Sequence, residues 1–505
     1  MKQFHKVLCL LLILCFVGTA FAACSEQETT SETSSVDNQE GNKPPEEDEN
    51  KFRLEKEDFN GVVIKVLTDK ASDYLACEIA PKELNNEPVN DAAYNRAALL
   101  AQEYGIVLEQ HYADNQADVA NKAKAQVQSN LDEYQIFVTG IISMANAAKE
   151  DTFIDLNHIE QNDYIDLTQP YWDQKMLKDL TIHDRVFFAT GDALVTDDES
   201  TWAMFFNKDI ANDNEVAKAF GAETLYDLAR NGDWTIDVMY QIAKNVTRQV
   251  GDTMDYAPNP DDTWGMVAQC YDSYAFMVAA DETLTRVDNN TPIITIAEES
   301  NVRAYETIFN MLSDKQCIAV AEITGRGQSD VYGTLPQIFA NGKALFMPNK
   351  VATVSDPIMR EANIRYGILP MPKESKEQEN YCSTVTVYWC SAMGIPVTNV
   401  EKLDATCYAM EAMAYYGQEL MTQEYYERTL KNKRFEDTES EEMLDLVFRN
   451  KSYDIGAVYS FSSILSFYTD ILISGQNSHI STLEAKQSSY QMAIDDFLAN
   501  LEGEG

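Results

Sequence analysis

The chain has 505 residues, of which 45% are hydrophobic and 10% aromatic, and its formal net charge is −43 at pH 7. This hydrophobic content supports large buried cores, and the length is sufficient for two or three domains. The acidic excess argues against a nucleic-acid-binding protein, whose affinity comes mainly from Lys and Arg contacts to phosphates, and against electrostatic attachment to anionic lipid.

The first residues have the pattern of a secretory signal peptide. Lys2 and Lys6 precede an apolar run at residues 7–17, and small residues then lead to Cys24. The run is shorter than the about 20 residues that a membrane-spanning helix needs. We expect residues 1–23 to be a signal peptide that is removed during export.

The sequence Phe21-Ala22-Ala23-Cys24 resembles the bacterial lipobox. In that motif the cysteine is lipidated and becomes the first residue of the mature protein, so we expect Cys24 to carry a lipid anchor. The alternative is an ordinary secreted protein that is cut near Ala22 or Ala23. The expected location is the extracellular face of the cell membrane.

The stretch after Cys24 has the composition of a tether. Residues 25–50 contain nine acidic residues, one lysine and the pair Pro44-Pro45. Such a segment cannot bury enough apolar surface to offset the entropy of ordering. We expect residues 24–50 to form a disordered acidic tether behind the lipid anchor.

The globular part begins with alternating strand and helix patterns. Strands are predicted at 61–67, 106–109 and 134–138, and helices at 90–102 and 116–130. The alternation predicts a parallel sheet with right-handed crossovers. Because ligands bind at the carboxyl ends of such strands, the loops at Thr68-Asp69 and Thr139-Gly140 are candidate site loops, with simple turn formation as the alternative.

Further elements are predicted beyond residue 185. Residues 185–192 read as a strand that ends in a turn and 202–209 as a strand that opens a helix, and Thr235 is a plausible N-cap for a helix at 236–245. Residues 339–347 read as a helix end, a glycine turn and a buried strand, and 365–372 as a strand that ends at prolines. A β-rich run follows at 383–393, and the last 80 residues are helical by pattern.

Cysteine and histidine residues give no sign of a metal or catalytic site. Beyond Cys24 the six cysteines are widely spaced, no CxxC motif or Cys/His cluster occurs, and the five histidines are scattered. Four aspartates between 252 and 262 lack the EF-hand spacing, which favours a solvated acidic loop over a calcium site. We expect buried structural cysteines, no cofactor and no bound metal.

Four segments, taken in their order along the chain, together resemble the extracellular solute-binding proteins of ABC importers, specifically the carbohydrate-type group. They are GVVIKVLT, FFNKDI, GDWTIDVMYQIAK and FANGKALFM followed by RYGILPMPK. The resemblance covers about residues 59–500 and weakens after about 420. It departs at Pro348-Asn349-Lys350, where relatives often carry an aromatic residue, and at Tyr381-Cys382-Ser383, where relatives often have a glycine pair. These departures bear on the ligand class.

The resemblance implies an α/β, two-lobed periplasmic-binding-protein-like fold with an interlobe cleft and a hinge. We expect lobe 1 at 59–195 plus 378–425, lobe 2 at 196–377, and a helical C-terminal part at 426–505 that packs on both lobes. The implied function is capture of a solute, a sugar or oligosaccharide above all, by hinge closure, and its delivery to membrane permease subunits. We expect a monomer that catalyses no reaction and binds no nucleic acid.

Sugar sites combine Trp and Tyr rings with Asp, Asn and Glu side chains at the rim. For Trp202 and Trp389 the alternative role is packing in the core. For the smaller candidate residues the alternative is a solvent-exposed turn. Trp234 and Trp264 are expected in the core. The candidate ligand-binding residues are Trp172, Tyr171, Asp69, Asp192, Trp202, Asn349, Tyr381, Ser383 and Trp389.

Two other classes of function stay open. A secreted carbohydrate-active enzyme would need two carboxylates on either side of the scissile bond, and with 82 acidic residues such pairs arise by chance. A surface lipoprotein without a transport role, such as an adhesin or a sensor partner, could use the same fold. Ligand stabilisation without turnover would separate solute capture from both alternatives.

Overall fold

The computed structural model describes residues 51–70, 78–250, 254–257, 261–426 and 438–503. The predicted signal peptide, Cys24 and the acidic tether lie outside these residues and stay predictions. No helix among the described residues has the length and apolarity needed to cross a membrane.

The chain forms thirteen strands and eighteen α-helices within the described residues. The strands are β1 (Val62–Asp69), β2 (Ile106–Ala113), β3 (Ile136–Gly140), β4 (Trp202–Asn207), β5 (Trp264–Ala268), β6 (Thr285–Asp288), β7 (Thr291–Ile294), β8 (Ile318–Val320), β9 (Ala344–Lys350), β10 (Tyr366–Leu369), β11 (Ser383–Thr384), β12 (Ser391–Gly394) and β13 (Lys451–Ser452). The helices are α1 (Pro88–Tyr104), α2 (Gln116–Gln128), α3 (Ile141–Ala148), α4 (Gln174–Leu180), α5 (Thr196–Glu199), α6 (Lys208–Asp213), α7 (Leu225–Arg230), α8 (Ile236–Val246), α9 (Asp272–Ala279), α10 (Glu299–Leu312), α11 (Ala321–Thr324), α12 (Val331–Ala340), α13 (Pro357–Arg360), α14 (Leu403–Gly417), α15 (Thr438–Arg449), α16 (Ile455–Tyr459), α17 (Phe467–Ser474) and α18 (His479–Glu502).

The first sheet is the parallel sheet that the sequence predicts. Its strand order is β12-β3-β1-β2, with β1 parallel to both β2 and β3 and with β12 antiparallel to β3. The helix α1 begins with a proline in its first turn and ends at Gly105, whose φ of 61° allows the left-handed cap that closes the last turn. The carboxyl ends of β1 and β3 therefore lie at the same edge of the sheet.

The second sheet has the strand order β10-β4-β9-β5-β8. The strands β9, β5 and β8 are parallel, whereas β4 is antiparallel to β9 and β10. Thr235 caps α8 as predicted, because its side chain accepts a hydrogen bond from the backbone N–H of Val238. The fold class, two α/β lobes, is as predicted.

Among the described residues, three segments that cross between the sheets lie side by side. The first contains α5 and Thr201, which forms an antiparallel bridge with Val385 of the second segment. The second contains β11, which pairs in parallel with β13 of the third. We call residues 195–201, 381–386 and 450–453 the first, second and third crossing segments.

The C-terminal helices contact both halves of the molecule. On the side of the first sheet, Lys149 Nζ donates to the carbonyl of Tyr459 at 2.7 Å, and Arg185 Nη1 donates to the carbonyl of Leu501 at 2.9 Å. On the side of the second sheet, the Tyr305 hydroxyl donates to the carbonyl of Tyr468 at 2.7 Å. One buried apolar cluster includes side chains from both sheets' layers and from these helices.

Two strand predictions need correction. Residues 185–192 form only isolated bridges, because Gly191 has a φ of 136° and the chain turns there instead of extending along a neighbour. The run 383–393 divides into the short strands β11 and β12, with a turn between them. Trp234 and Trp264 are buried, as expected for core residues.

Candidate functional site

The carboxyl ends of both sheets meet at the turn between β11 and β12. On the first sheet, the N–H of Ile141 donates to the carbonyl of Cys390 at 2.8 Å, next to the carboxyl end of β3. On the second sheet, Lys350 Nζ at the end of β9 lies 4.5 Å from the centre of the Trp389 ring. The turn therefore contacts the strand-end edges of both lobes, which is the place where α/β proteins bind ligands.

Aromatic side chains concentrate at this point. The Trp202 and Tyr271 rings meet edge to face with their centres 5.0 Å apart, and Tyr271 lies 5.8 Å from Tyr388. Tyr388 is 52% exposed, Trp389 38% and Tyr332 55%. We call Trp202, Tyr271, Tyr332, Tyr388 and Trp389 the aromatic cluster; its inner members support outer rings that are open to solvent.

Carboxylates hold the aromatic cluster in place. Glu322 accepts the Tyr332 hydroxyl through Oε1 at 3.0 Å and the N–H of Cys270 through Oε2 at 2.8 Å. Asp272 is buried and accepts Trp202 Nε1 at 2.8 Å. Burial raises the pKa of Asp272 well above its ordinary value. The ring orientations are therefore fixed by paired polar groups, which favours a preformed binding surface.

Lys350 brings a positive charge beside the exposed indole of Trp389. Its side chain is largely buried, and burial lowers the pKa of Lys350 to about 8, against the opposing influence of Asp356 and Glu199. A cation over the face of an indole is an attractive arrangement that restricts both side chains.

The first sheet contributes smaller polar groups across from the aromatic cluster. The Thr139 hydroxyl donates to Asp69 Oδ1 at 2.8 Å, and burial raises the pKa of Asp69 above its ordinary value. At Gly140 a Cβ atom would lie 2.3 Å from Gln116 Oε1, so a larger residue there would require the Gln116 side chain to move. These groups can accept or donate hydrogen bonds at the edge that faces the aromatic rings.

Two kinds of reactive group bear on covalent chemistry at this edge. Within the described residues, no group of three or more His, Cys, Asp or Glu side chains could hold a metal ion. Cys270, next to Tyr271, and Cys390, next to Trp389, are both buried, and burial raises the pKa of both thiols. A thiol held in that state is a poor nucleophile.

Four of the predicted site residues lie at these two edges. Trp389 is an exposed member of the aromatic cluster, and Trp202 is its buried support. Asn349 is buried next to Lys350 at the end of β9, where its Oδ1 accepts the N–H of Lys350 at 2.9 Å. Asp69 lies at the edge of the first sheet.

The expectation that Tyr171 and Trp172 line a cleft is corrected by their surroundings. Both are buried in the core of the first lobe, at 4% and 1% exposure. Trp172 Nε1 donates to Glu411 Oε2 at 3.1 Å, and the Tyr171 hydroxyl donates to Oε1 of the same carboxylate. The polar atoms of both rings are satisfied inside the protein, so neither ring is available to a ligand.

Two further predicted residues also lie away from the aromatic cluster, and a third is buried. Asp192 accepts the Thr422 hydroxyl at 2.6 Å beside the end of α14, and burial raises the pKa of Asp192 to about 7. Tyr381 is buried and donates to the carbonyl of Ala229 at 2.9 Å. Ser383 is buried within the second crossing segment. Loop position in the sequence did not distinguish these interior positions from a ligand-facing edge.

Sequence reasoning missed four residues of the site. Tyr271 lies three residues beyond the end of β5, so the rule that nominated the loop at Asp69 also points to its loop. Tyr388 is the neighbour of Trp389 in the same turn. Glu322 and Tyr332 lie beyond the end of β8, on α11 and α12, where the sequence pattern gives no signal for a ligand site.

Comparison with known proteins identifies the fold. No protein-family profile matches the chain, and no curated protein sequence matches it. Among solved structures, the GacH receptor of Streptomyces glaucescens, studied unliganded and with acarbose, is 15% identical, with a TM-score of 0.52 over 86% of this chain and 98% of that one. An ABC substrate-binding protein of Listeria monocytogenes in complex with cycloalternan is 13% identical, with a TM-score of 0.52 over 88% and 99% of the two chains.

A sugar transporter protein of Rhizobium etli in an open conformation is 14% identical, with a TM-score of 0.57 over 86% of this chain and 99% of that one. At these identities the likeness concerns the fold. This chain has the two-lobed fold of carbohydrate-type extracellular solute-binding proteins, as its sequence motifs predicted.

Proposed function

We propose that this protein is the membrane-anchored solute-binding component of an ABC importer and that it captures a sugar or oligosaccharide by closing its two lobes. The observation that carries this proposal is the aromatic cluster at the point where the strand ends of both sheets meet. Exposed indole and phenol rings offer flat apolar faces of the kind on which the faces of sugar rings stack. The solved proteins that share the fold include complexes with acarbose and cycloalternan, which agrees with an oligosaccharide ligand.

The polar groups around the rings support the same class of ligand. Sugar hydroxyls need acceptors, and Glu322 and Asp69 supply carboxylate oxygens on opposite edges. A ligand that contacts both edges gains its full set of interactions only when the lobes are close together, so its binding favours the closed arrangement. Closure then creates a surface that permease subunits could recognise.

The N-terminal sequence supports anchoring outside the cell. The signal-peptide pattern, the lipobox-like Cys24 and the acidic residues 25–50 together describe a protein held to the membrane by lipid, with its folded part extended away from the surface.

A thermal-shift panel of mono- and oligosaccharides on the purified folded part tests the proposal. We expect one sugar class to raise the melting temperature in a concentration-dependent way while no product forms. Release of a shortened sugar would instead favour a carbohydrate-active enzyme. Binding to insoluble cell-wall polymer, with no response to any small sugar, would favour an adhesin.

A further inference from the structure

Lys451 in the third crossing segment is enclosed by carboxylates. Its Nζ lies 3.0 Å from Asp173 Oδ2 and 3.0 Å from Asp198 Oδ1, and it also donates to Asp197. Only 11% of the Lys451 side chain is exposed, and the three carboxylates are 2%, 16% and 5% exposed in the same order. Charges buried in this way depend on one another, because removing one partner leaves the others unpaired in a poorly solvated place.

Asp173 fixes this group to the first lobe. It is the N-cap of α4, and its Oδ1 accepts the N–H groups of Lys175 and Met176 at 2.8 and 3.1 Å. Its Oδ2 accepts the Tyr453 hydroxyl at 2.7 Å. The third crossing segment is therefore attached to a helix of the first lobe through both Lys451 and Tyr453.

The other two carboxylates belong to the first crossing segment. Asp197 and Asp198 lie in α5, the single turn that leads from the first lobe towards β4. Lys451 therefore joins the first crossing segment to the third and holds both against the first lobe. The part of the first crossing segment beyond α5 is free of this ion cluster.

A strained residue stands directly before α5. Val195 has a φ of 63° and a ψ of −8°, although it is β-branched and only 1% exposed. A β-branched residue in the left-handed region is an outlier that persists only where the surrounding structure enforces it. The N–H of Val195 donates to the carbonyl of Gly191 at 3.1 Å, and its own carbonyl accepts the N–H of Glu199 at 3.1 Å. The strain is thus held between the first lobe and α5.

From these two observations we propose that Lys451 is the positioning residue of the hinge. It fixes α5 and β13 to the first lobe and keeps Val195 strained, so that bending of the first crossing segment is confined to residues 200 and 201. The inference rests on the proposed interlobe closure, but it concerns the hinge and not the ligand. Without this ion cluster the bending point would spread back to Val195, and the lobes would sample a wider range of separations.

The test measures the distance between the lobes in the ligand-free protein. Spin labels are attached through ketone-bearing amino acids at the exposed positions Ala117 and Ser329, beyond the strand ends of the two lobes. The distance distribution is recorded for the unsubstituted protein and for the variants Lys451→Met and Asp198→Ala. We expect both variants to broaden the distribution, with at least a ~tenfold change in the ratio of closed to open forms.

Lys402→Met is the matched control. Lys402 Nζ donates to the carbonyl of Val63 at 2.8 Å entirely within the first lobe, so its loss should leave the distribution unchanged. A folded Lys451→Met protein with a lower melting temperature and an unchanged distribution would show a merely structural role and would overturn the proposal.

If Lys451→Met does not fold, Asp198→Ala decides, because it removes one carboxylate that holds α5 and leaves Lys451 paired with Asp173 and Asp197. An unchanged distribution in that variant also overturns the proposal. Since no sugar is added, these results are independent of the thermal-shift panel. Failure of every sugar to bind would contradict the proposed function and leave the hinge measurement interpretable.

Discussion

Two tryptophans show how surroundings decide the role of a residue. Trp172 is 1% exposed, and its indole N–H is paired with Glu411 inside the first lobe. Trp389 is 38% exposed, and Lys350 lies over its ring at the meeting point of the two sheets. A buried and paired indole contributes to stability, whereas an exposed and rigidly held indole is available for stacking.

Replacing Trp389 by alanine should therefore weaken ligand binding without unfolding the protein. We expect about a tenfold loss of sugar affinity, since an aromatic contact of this kind is worth ~0.5–1.5 kcal/mol beyond the area that it buries. Isothermal titration with the best sugar of the panel measures the affinity. Trp172→Ala is the comparison variant, which should lose roughly 3–5 kcal/mol of unfolding free energy. Equal affinity in Trp389→Ala and the unsubstituted protein would show that the indole does not contribute to ligand binding.

Asp192 should make the protein less stable as the pH rises. Burial raises the pKa of Asp192 to about 7 in the folded protein, well above its ordinary value of 3.8. Below about pH 4 the Asp192 carboxyl is protonated in both the folded and the unfolded state, so it does not make the free energy of unfolding depend on pH. Between about pH 4 and 7 the unfolded chain releases this proton and the folded protein keeps it, so the free energy of unfolding falls, by on the order of 3 kcal/mol in all. Above pH 7 this contribution is constant.

Asp192→Asn tests this assignment, because the amide oxygen can still accept the Thr422 hydroxyl. Urea unfolding at several pH values from 4 to 8 should show a smaller loss of stability in the variant than in the unsubstituted protein. Asp114→Asn is the control, since the Asp114 side chain is 87% exposed. Identical pH dependence in the Asp192 variant and the unsubstituted protein would contradict the raised pKa.

At the scale of elements, α14 holds the beginning of the folded chain. Glu411 on this helix is buried and accepts Arg53 Nε at 2.7 Å, while its other oxygen accepts the N–H of Asp166 at 3.2 Å. Phe52 packs between aromatic rings of α1 and α14, with its ring centre 5.0 Å from that of Tyr415. The segment at residues 52–59 is therefore part of the first lobe's core.

Glu411→Leu should destabilise the protein by about 3–5 kcal/mol, because it leaves the buried donors of Tyr171 and Trp172 unpaired and removes one ion-pair partner of Arg53. Denaturant unfolding measures the change. Glu103→Gln is the matched control, since Glu103 pairs with Lys56 of the same segment at 2.7 Å but both side chains are largely exposed. Its expected cost is under about 1 kcal/mol. Similar losses in the two variants would mean that burial does not determine the strength of this attachment.

Periodicity predicted the elements better than the site. The strand predicted at 106–109 lies within β2, and the helix predicted at 236–245 is α8 with its Thr235 cap, because local patterns fix both. The strand predicted at 185–192 is wrong, since the turn at Gly191 depends on packing against Tyr171, whose carbonyl lies 2.5 Å from the position of a Gly191 Cβ. Local sequence does not contain that contact.

The site depends still more on distant partners. The indole N–H of Trp172 donates to Glu411, which lies 239 residues further along the chain. The indole N–H of Trp202 donates to Asp272, which is 70 residues away. The rule that ligands bind at strand ends located Asp69, and the use of tryptophan in sugar sites nominated Trp389, but only the assembled sheets show that Tyr271 and Tyr388 share the same edge. The crossing segments, which contain few regular hydrogen bonds, gave no usable sequence pattern for the hinge.

At the scale of the whole molecule, the two lobes are joined on one side more extensively than the crossing segments require. The C-terminal helices bond to Lys149 and Arg185 of the first lobe and to Tyr305 of the second. Closure must preserve these contacts or exchange them for others, because a packed apolar interface changes between discrete arrangements and does not deform continuously. The lobes should therefore move as two bodies between few states.

Small-angle X-ray scattering on the folded part should detect this motion. We expect the sugar that raises the melting temperature to reduce the radius of gyration, since only a closed form lets one ligand contact both strand-end edges. The change should saturate with the ligand concentration that saturates binding. In Trp389→Ala the same reduction should need about tenfold more sugar, because the variant loses affinity and keeps the hinge. Binding with no change in the scattering profile would mean that the ligand contacts one lobe alone, and the closure mechanism would then be wrong.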